Sequence, residues 1–195
     1  MTGRSTDGRH RRREVNRDKV IESLLGLFAD GEINPTMAMV AERAGISQRS
    51  IFRYFDDTED LIRQACQFRF TQMAPLATLP TPFPDALSDR IKVLGEVRSR
   101  TYEAAGPVGR IARVHAMANP VAREILTVAR TQLRAQVAAL FSPELARCAS
   151  QPQCLSAIDV LWSFETWELL RIDQELSVDD AVAVLALATG RLLSA

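Results

Sequence analysis

The chain has 195 residues, 47% of them hydrophobic and 25% charged, with 24 lysines and arginines against 24 acids. That is enough apolar material for a sizeable core in one large domain, or in a small domain plus a larger one. Zero net charge excludes a surface coated in nucleic-acid-binding charge, and three cysteines (Cys66, Cys148, Cys154) without a CxxC pair favour reduced thiols over a disulfide scaffold.

Charge is uneven along the chain. Residues 1–20 carry Arg4, Arg9, Arg11, Arg12, Arg13, Arg17 and Lys19 against Asp7, Glu14 and Asp18. Residues 1–13 read as a disordered basic arm, suited either to phosphate or minor-groove contact or simply to solubility. A first helix is predicted to about Asp30, with Val20, Leu24, Leu27 and Phe28 on one face and Gly31 ending it.

Two short helices follow around a tight turn. Thr36 is an N-cap for the first, which ends at Ala44, and Gly45 supplies the permissive backbone of the stop. Ile46 is a buried spacer, and Ser47 caps the second helix, SQRSIFRYF. Ile51 and Phe55, four apart, are placed to pack inward with Ala41 and Ile46. Gln48, Arg49, Ser50, Phe52, Arg53 and Tyr54 then form an outward surface of donors and aromatics. A helix-turn-helix needs this division, because its second helix docks on its own protein by one face and enters the major groove by the other. Asp57 is predicted to cap a fourth helix with Asp60 at N3, where acids suit the positive end of the helix dipole.

Four prolines between Pro75 and Pro84 break the helical pattern, and a mobile connection is expected there. Gly106–Pro107 separates two later helices, Asn119–Pro120 and Ser142–Pro143 each put a cap before a proline at N1, and Ser177 opens the last helix. No segment alternates at period two between turn signals, so an all-α chain of nine or ten helices is expected. Leu155, Ile158, Trp162, Glu165, Leu169 and Ile172 repeat at spacings of three and four. The final helix is uncharged from Ala181 to Gly190 and apolar almost all round, so a second face needs cover. A second copy in a two-fold interface would supply it.

The stretch from Asn16 to Ala65 resembles the TetR family of dimeric transcriptional regulators: an amphipathic helix ending in LFADG, then MVAERAGIS, then SIFRYFDDTEDL. Beyond Phe70 the resemblance is one of architecture. It implies an all-α fold with an N-terminal three-helix helix-turn-helix DNA-binding domain (14–56) and a larger helical ligand-binding and dimerisation domain (57–195). It also implies a homodimer through the last two helices. Matched position by position, Gln48, Arg49, Ser50, Phe52, Arg53, Tyr54 and Thr58 fall where members contact DNA. Thr36 and Ser47, the caps, complete the expected interface. Phe52 stands where a tyrosine is usual, and Thr58 where a lysine is frequent, beside the acids Asp56 and Asp57.

For a ligand the sequence offers pocket material rather than a motif. Phe70, Met73, Tyr102, His115, Met117, Trp162 and Glu165 are the candidates: mostly apolar, with His115 and Glu165 interrupting apolar faces. Catalysis fails on inventory, with two histidines and no HExxH, CxxC, Walker loop or GxSxG. No cofactor or metal is expected. The N-terminus lacks the apolar core of a signal peptide and no run reaches the ~20 apolar residues of a membrane span, so a soluble cytoplasmic protein is expected. The expected partners are double-stranded DNA at a palindromic operator, a small apolar or amphipathic effector, and a second copy; the expected role is repressor. Two other classes stay open: a helical interaction scaffold with weak non-specific DNA binding, and a small-molecule-metabolising enzyme.

Overall fold

The computed structural model describes residues 4–194, with side chains described from residue 11 onward except at residue 12. Ten α-helices and no strand occur among the described residues: α1 (Arg4–Ala29), α2 (Met37–Ala44), α3 (Gln48–Ile51), α4 (Thr58–Met73), α5 (Leu87–Ala118), α6 (Pro120–Leu140), α7 (Ser142–Leu145), α8 (Gln151–Leu161), α9 (Phe164–Glu168) and α10 (Val178–Leu193). The chain divides into two compact units, one of residues up to Gln72 with Gly106–Leu126, the other of Met73–Ala105 with Thr127–Ala195.

The first unit is built by short-range chemistry. Val20, Leu24 and Phe28 of α1 are buried as their spacing predicts, together with Val40, Ala41, Ala44, Ile51, Phe55, Leu61, Ala65 and Ile111. Thr36 Oγ1 accepts from the Met39 amide at 3.3 Å, and Gly45 stops α2 in the left-handed conformation (φ 65°, ψ 35°). Ser47 Oγ accepts from the Ser50 amide at 3.2 Å. Asp57 caps α4, its Oδ1 accepting from the Asp60 amide at 2.7 Å.

Two features of this unit depart from expectation. Helix α1 starts at Arg4, so residues 4–13, read as a disordered arm, are helical. Extension from an existing helix needs no new nucleus, and arginine is a good helix former. The side chains of Arg4, Arg9 and Arg12 lie outside the described residues. Residues 106–118 also join this unit, with Ile111 buried in its core and Val108 packed against it.

In the second unit α5 enters as Leu87–Ala105 and is interrupted at Gly106, whose backbone (φ 38°, ψ −132°) breaks the helix where Gly106–Pro107 predicts. The core gathers Leu94, Val97, Val137, Leu140, Phe141, Ile158, Phe164, Trp167 and Leu185. A Cβ on Gly95 would lie 2.7 Å from Val182 Cγ1, so glycine is what lets α5 and α10 approach. Arg98 is fully buried, its Nη atoms donating to Gln136 Oε1 (2.9 Å) and the Leu133 carbonyl (2.8 Å). Burial pulls its pKa down, with Tyr102 and Asp159 acting in the opposite sense.

The proline-rich segment is anchored rather than mobile. Arg90 Nη1 donates to the carbonyls of Pro84 (3.0 Å) and Asp85 (2.6 Å), Gln136 Nε2 to Ala77 (2.9 Å) and Arg100 Nη2 to Leu76 (3.2 Å), while Leu79 is buried. Backbone carbonyls freed by proline are thus satisfied by side chains from elsewhere in the unit. Asn119 caps α6 as expected, its Oδ1 accepting from Val121 (2.9 Å) and Ala122 (3.1 Å). Ser142 is instead the first residue of α7, with Phe141 in the cap position.

The stripe from Leu155 to Ile172 is not one helix. Ser163 is extended (φ −81°, ψ 159°) and caps α9, Oγ accepting from the Thr166 amide at 3.1 Å, and a π-helical turn over Leu169–Asp173 follows. The break resets the phase, so Ile158, Trp162, Trp167 and Leu170 are buried while Val160, Leu169 and Ile172 are exposed.

Candidate nucleic-acid interface

Residues 47–55 form one regular turn that tightens before it ends. Phe52 donates to the Gln48 carbonyl (3.3 Å), but Arg53 and Tyr54 reach only three residues back, to Ser50 (3.2 Å) and Ile51 (2.8 Å), and Phe55 returns to Ile51 at 3.1 Å. The helix expected over Ser47–Phe55 is therefore α3 plus a tight turn. Its inward residues, Ile51 and Phe55, are at most 1% exposed.

The outward residues fall into three groups. Gln48, Arg49 and Arg53 are exposed, and no described acid pairs with either guanidinium. A guanidinium fork free of intramolecular partners can meet guanine O6 and N7, and a glutamine can bridge adenine N6 and N7. Ser47, Thr36 and Thr58 are exposed at helix starts, while Ser50 is half-buried with its Oγ 2.9 Å from Ser47 Oγ. Phe52 is 52% exposed and offers a ring without a hydroxyl.

Tyr54 is half-buried, and its hydroxyl accepts from Asn16 Nδ2 at 3.3 Å. It keeps its own hydrogen to donate, so a phosphate contact stays open to it. Arg13 Nη2 donates to the Arg53 carbonyl at 3.3 Å, and Arg17 Nε to Gln64 Oε1 at 2.7 Å. Arg13, Asn16 and Arg17 thus support the end of the recognition segment and the flank of α4, a role the sequence reading missed. The signal was present: positions 13, 16 and 17 continue the stripe of Val20, Ile21 and Leu24 at helical spacing.

These features describe a capped two-helix turn presenting a polar face above an apolar one. Residues 20–65 match the family model for bacterial regulatory proteins, tetR family. By this match residues 20–65 form a TetR-family domain. The whole chain is similar in fold to the crystal structure of a transcriptional regulator from Rhodococcus sp. Rha1, with a TM-score of 0.72 over 91% of this chain and 96% of that one, at 15% sequence identity. No curated protein matches the chain. The domain match supports a DNA-binding regulator, and the structural match shows the shared fold.

The seven ligand candidates are divided between the units. Phe70, His115 and Met117 are in the first; Met73, Tyr102, Trp162 and Glu165 are in the second. Tyr102 Oη donates to the Trp162 carbonyl at 2.6 Å and Trp162 Nε1 to Thr189 Oγ1 at 2.8 Å, so the polar ends of both buried rings are occupied inside the core. Glu165 is exposed and pairs with Arg130. Met117 is 81% exposed. Among the described residues no cluster of His, Cys, Asp or Glu could hold a metal ion, and no helix is long and apolar enough to cross a membrane.

Proposed function

We propose that this TetR-family regulator is a cytoplasmic repressor that binds a palindromic operator as a homodimer and is released from it by a small apolar or amphipathic effector. The observation that carries the DNA reading is the first turn of α3, where Gln48 and Arg49 are exposed and unpaired above the buried Ile51 and Phe55. In this reading Gln48 and Arg49 discriminate bases, each bidentate pair contributing about 1–3 kcal/mol. Thr36, Ser47, Ser50, Tyr54 and Thr58 hold phosphates and set register, Phe52 packs at the groove edge, and Arg53 reaches either. Domain limits at 14–56 and 57–195 go with this division of labour.

The dimer is proposed through α8–α10, where Val160, Leu169, Ile172, Val184 and Leu187 are exposed apolar side chains. Two copies related by a two-fold axis set their recognition helices about 34–36 Å apart or a multiple of that. An effector acts only as far as it binds one spacing better than the other. Met73, Tyr102, Trp162 and Glu165, all of the second unit, are its proposed surroundings. Catalysis has no part in this reading.

Binding of the purified chain to DNA from immediately upstream of its own gene, against scrambled DNA at two salt concentrations, tests the proposal. A preference of ~10³ or more that survives the higher salt supports it. Equal and salt-sensitive binding to both points to a scaffold with generic affinity for phosphate.

A further inference from the structure

The first unit holds a partly open cavity of about 190 Å³, with Asn34 and Thr58 at its rim. Helix α1 contributes Leu24 and Phe28 to its wall, α2 contributes Val40, α4 contributes Leu61 and Ile62, and the segment after Gly106 contributes His115. No lysine, arginine, aspartate or glutamate lines it. A dry apolar cavity of ~150 Å³ in another protein is known to accept benzene, so this volume suits one aromatic ring with a substituent. It is too small for a fused polycyclic effector, and its lining would leave a charged one unpaired.

His115 gives the cavity a chemical preference. Its Nε2 lies 2.8 Å from the Ile33 carbonyl oxygen, and its ring stands 5.4 Å from that of Phe28 at 55°. A carbonyl can only accept, so Nε2 carries the hydrogen and, in the neutral ring, Nδ1 is a bare acceptor. No described residue donates to Nδ1. The wall is mostly apolar, with Asn34, Thr58 and His115 its polar side chains. A wall of this kind with an acceptor at Nδ1 suits an apolar ring that brings one donor.

We propose that this cavity binds a neutral single-ring aromatic carrying one hydrogen-bond donor, of the phenol type, with the ring among Leu24, Val40, Leu61 and Ile62 and the donor on His115 Nδ1. Such an occupant touches α1, α2, α4 and the His115 segment at once. Thr58 also lines the cavity, and Ile33, held by His115, lies three residues before Thr36. A bound ring therefore fixes Thr36 and Thr58, two of the proposed phosphate contacts, relative to each other. That consequence rests on the DNA reading above; binding of the ring does not.

The test uses the full chain without DNA, with methyl-labelled side chains, titrated with phenol and, in parallel, with toluene. Saturable phenol binding with a dissociation constant on the order of 0.1–1 mM is expected, with nuclear Overhauser contacts from the phenol ring to the methyls of Leu24, Val40, Leu61 and Ile62. Toluene is expected to bind about tenfold more weakly, for lack of the donor. His115→Phe should remove that preference while leaving toluene binding within about twofold, and Ile62→Phe, which fills the space, should abolish both. Failure of phenol to saturate, or contacts to other methyls, overturns the site. Equal affinity for phenol and toluene in the native chain overturns the role of His115. The phenol titration, the Overhauser contacts and the phenol–toluene comparison use the native chain, so a poorly folded variant does not weaken them. A chain that binds phenol but reads no operator separates this site from the DNA reading.

Discussion

Asp60 carries more of the first unit than its position in a short acidic run suggests. Its carboxylate accepts from the Asp56 amide at 3.2 Å and Gln64 Nε2 at 2.8 Å, and it pairs with Arg63. Burial pushes its pKa up, but the hydrogen bonds from Gln64 and Asp56 and the charges of Arg63 and Arg17 outweigh that, leaving it below its ordinary 3.8. A depressed carboxylate stabilises the fold fully above the unfolded pKa and loses that contribution as pH falls through the folded value. Asp60→Asn should therefore cost about 2 kcal/mol in urea unfolding at pH 7, through lost charge-assisted hydrogen bonds, and the gap from native should narrow below about pH 4. A gap independent of pH would show that the charge is not what matters. At the proposed DNA face the residue to test is Arg49. Replacing it by alanine should weaken operator binding about 10–200-fold in fluorescence anisotropy, with much less effect on scrambled DNA. Equal loss on both would make it a phosphate contact.

At the scale of elements, caps are the part of this fold most legible in the sequence. Thr36, Ser47, Asp57, Asn119 and Ser177 satisfy amides two or three residues on, a reach too short for tertiary context to override. Gly45 belongs with them, since its left-handed backbone orients α3 on α2. Gly45→Ala should destabilise by about 1–2 kcal/mol in chemical unfolding, the strain of a Cβ in that conformation. An unchanged midpoint would mean that the turn tolerates another geometry. What the sequence concealed depends on partners that the hydrophobic spacing does not record. The spacing of three and four runs unbroken from Leu155 to Ile172, yet Ser163 interrupts the helix because its side chain caps α9 while Thr166 Oγ1 donates to the Val160 carbonyl at 2.6 Å. The anchoring of the proline segment comes from Arg90, five and six residues beyond the carbonyls it holds, and from Arg100 and Gln136, which are 24 and 59 residues from theirs. Of the candidate site, the outward side of α3 was readable because an inward pair at i, i+4 leaves the rest of a short helix outward. The setting of His115 was not, because its partners Phe28 and Ile33 are more than 80 positions away.

For the whole molecule, the open question of assembly turns on α10. Its buried side is Ala181, Leu185 and Thr189; Val184 and Leu187 face out, Leu187 at 65% exposure, and Val160 at the same level belongs to α8. In the proposed dimer, Leu187→Asp combined with Val184→Asp should convert a species of twice 21.6 kDa into a monomer in sedimentation velocity, with unchanged helicity by circular dichroism. A variant that stays dimeric would move the interface elsewhere. Operator affinity should fall with it, because a single half-site loses the second copy's contribution.

The central claim, that this chain reads a sequence through Gln48 and Arg49 as a two-fold dimer, is tested most directly by selecting bound duplexes from a random pool and footprinting the winner. The account predicts an enriched palindrome, both halves protected, with half-site centres one helical turn or a multiple apart. Recovery of no motif, or of a single unpaired half-site protected by one copy, would contradict it.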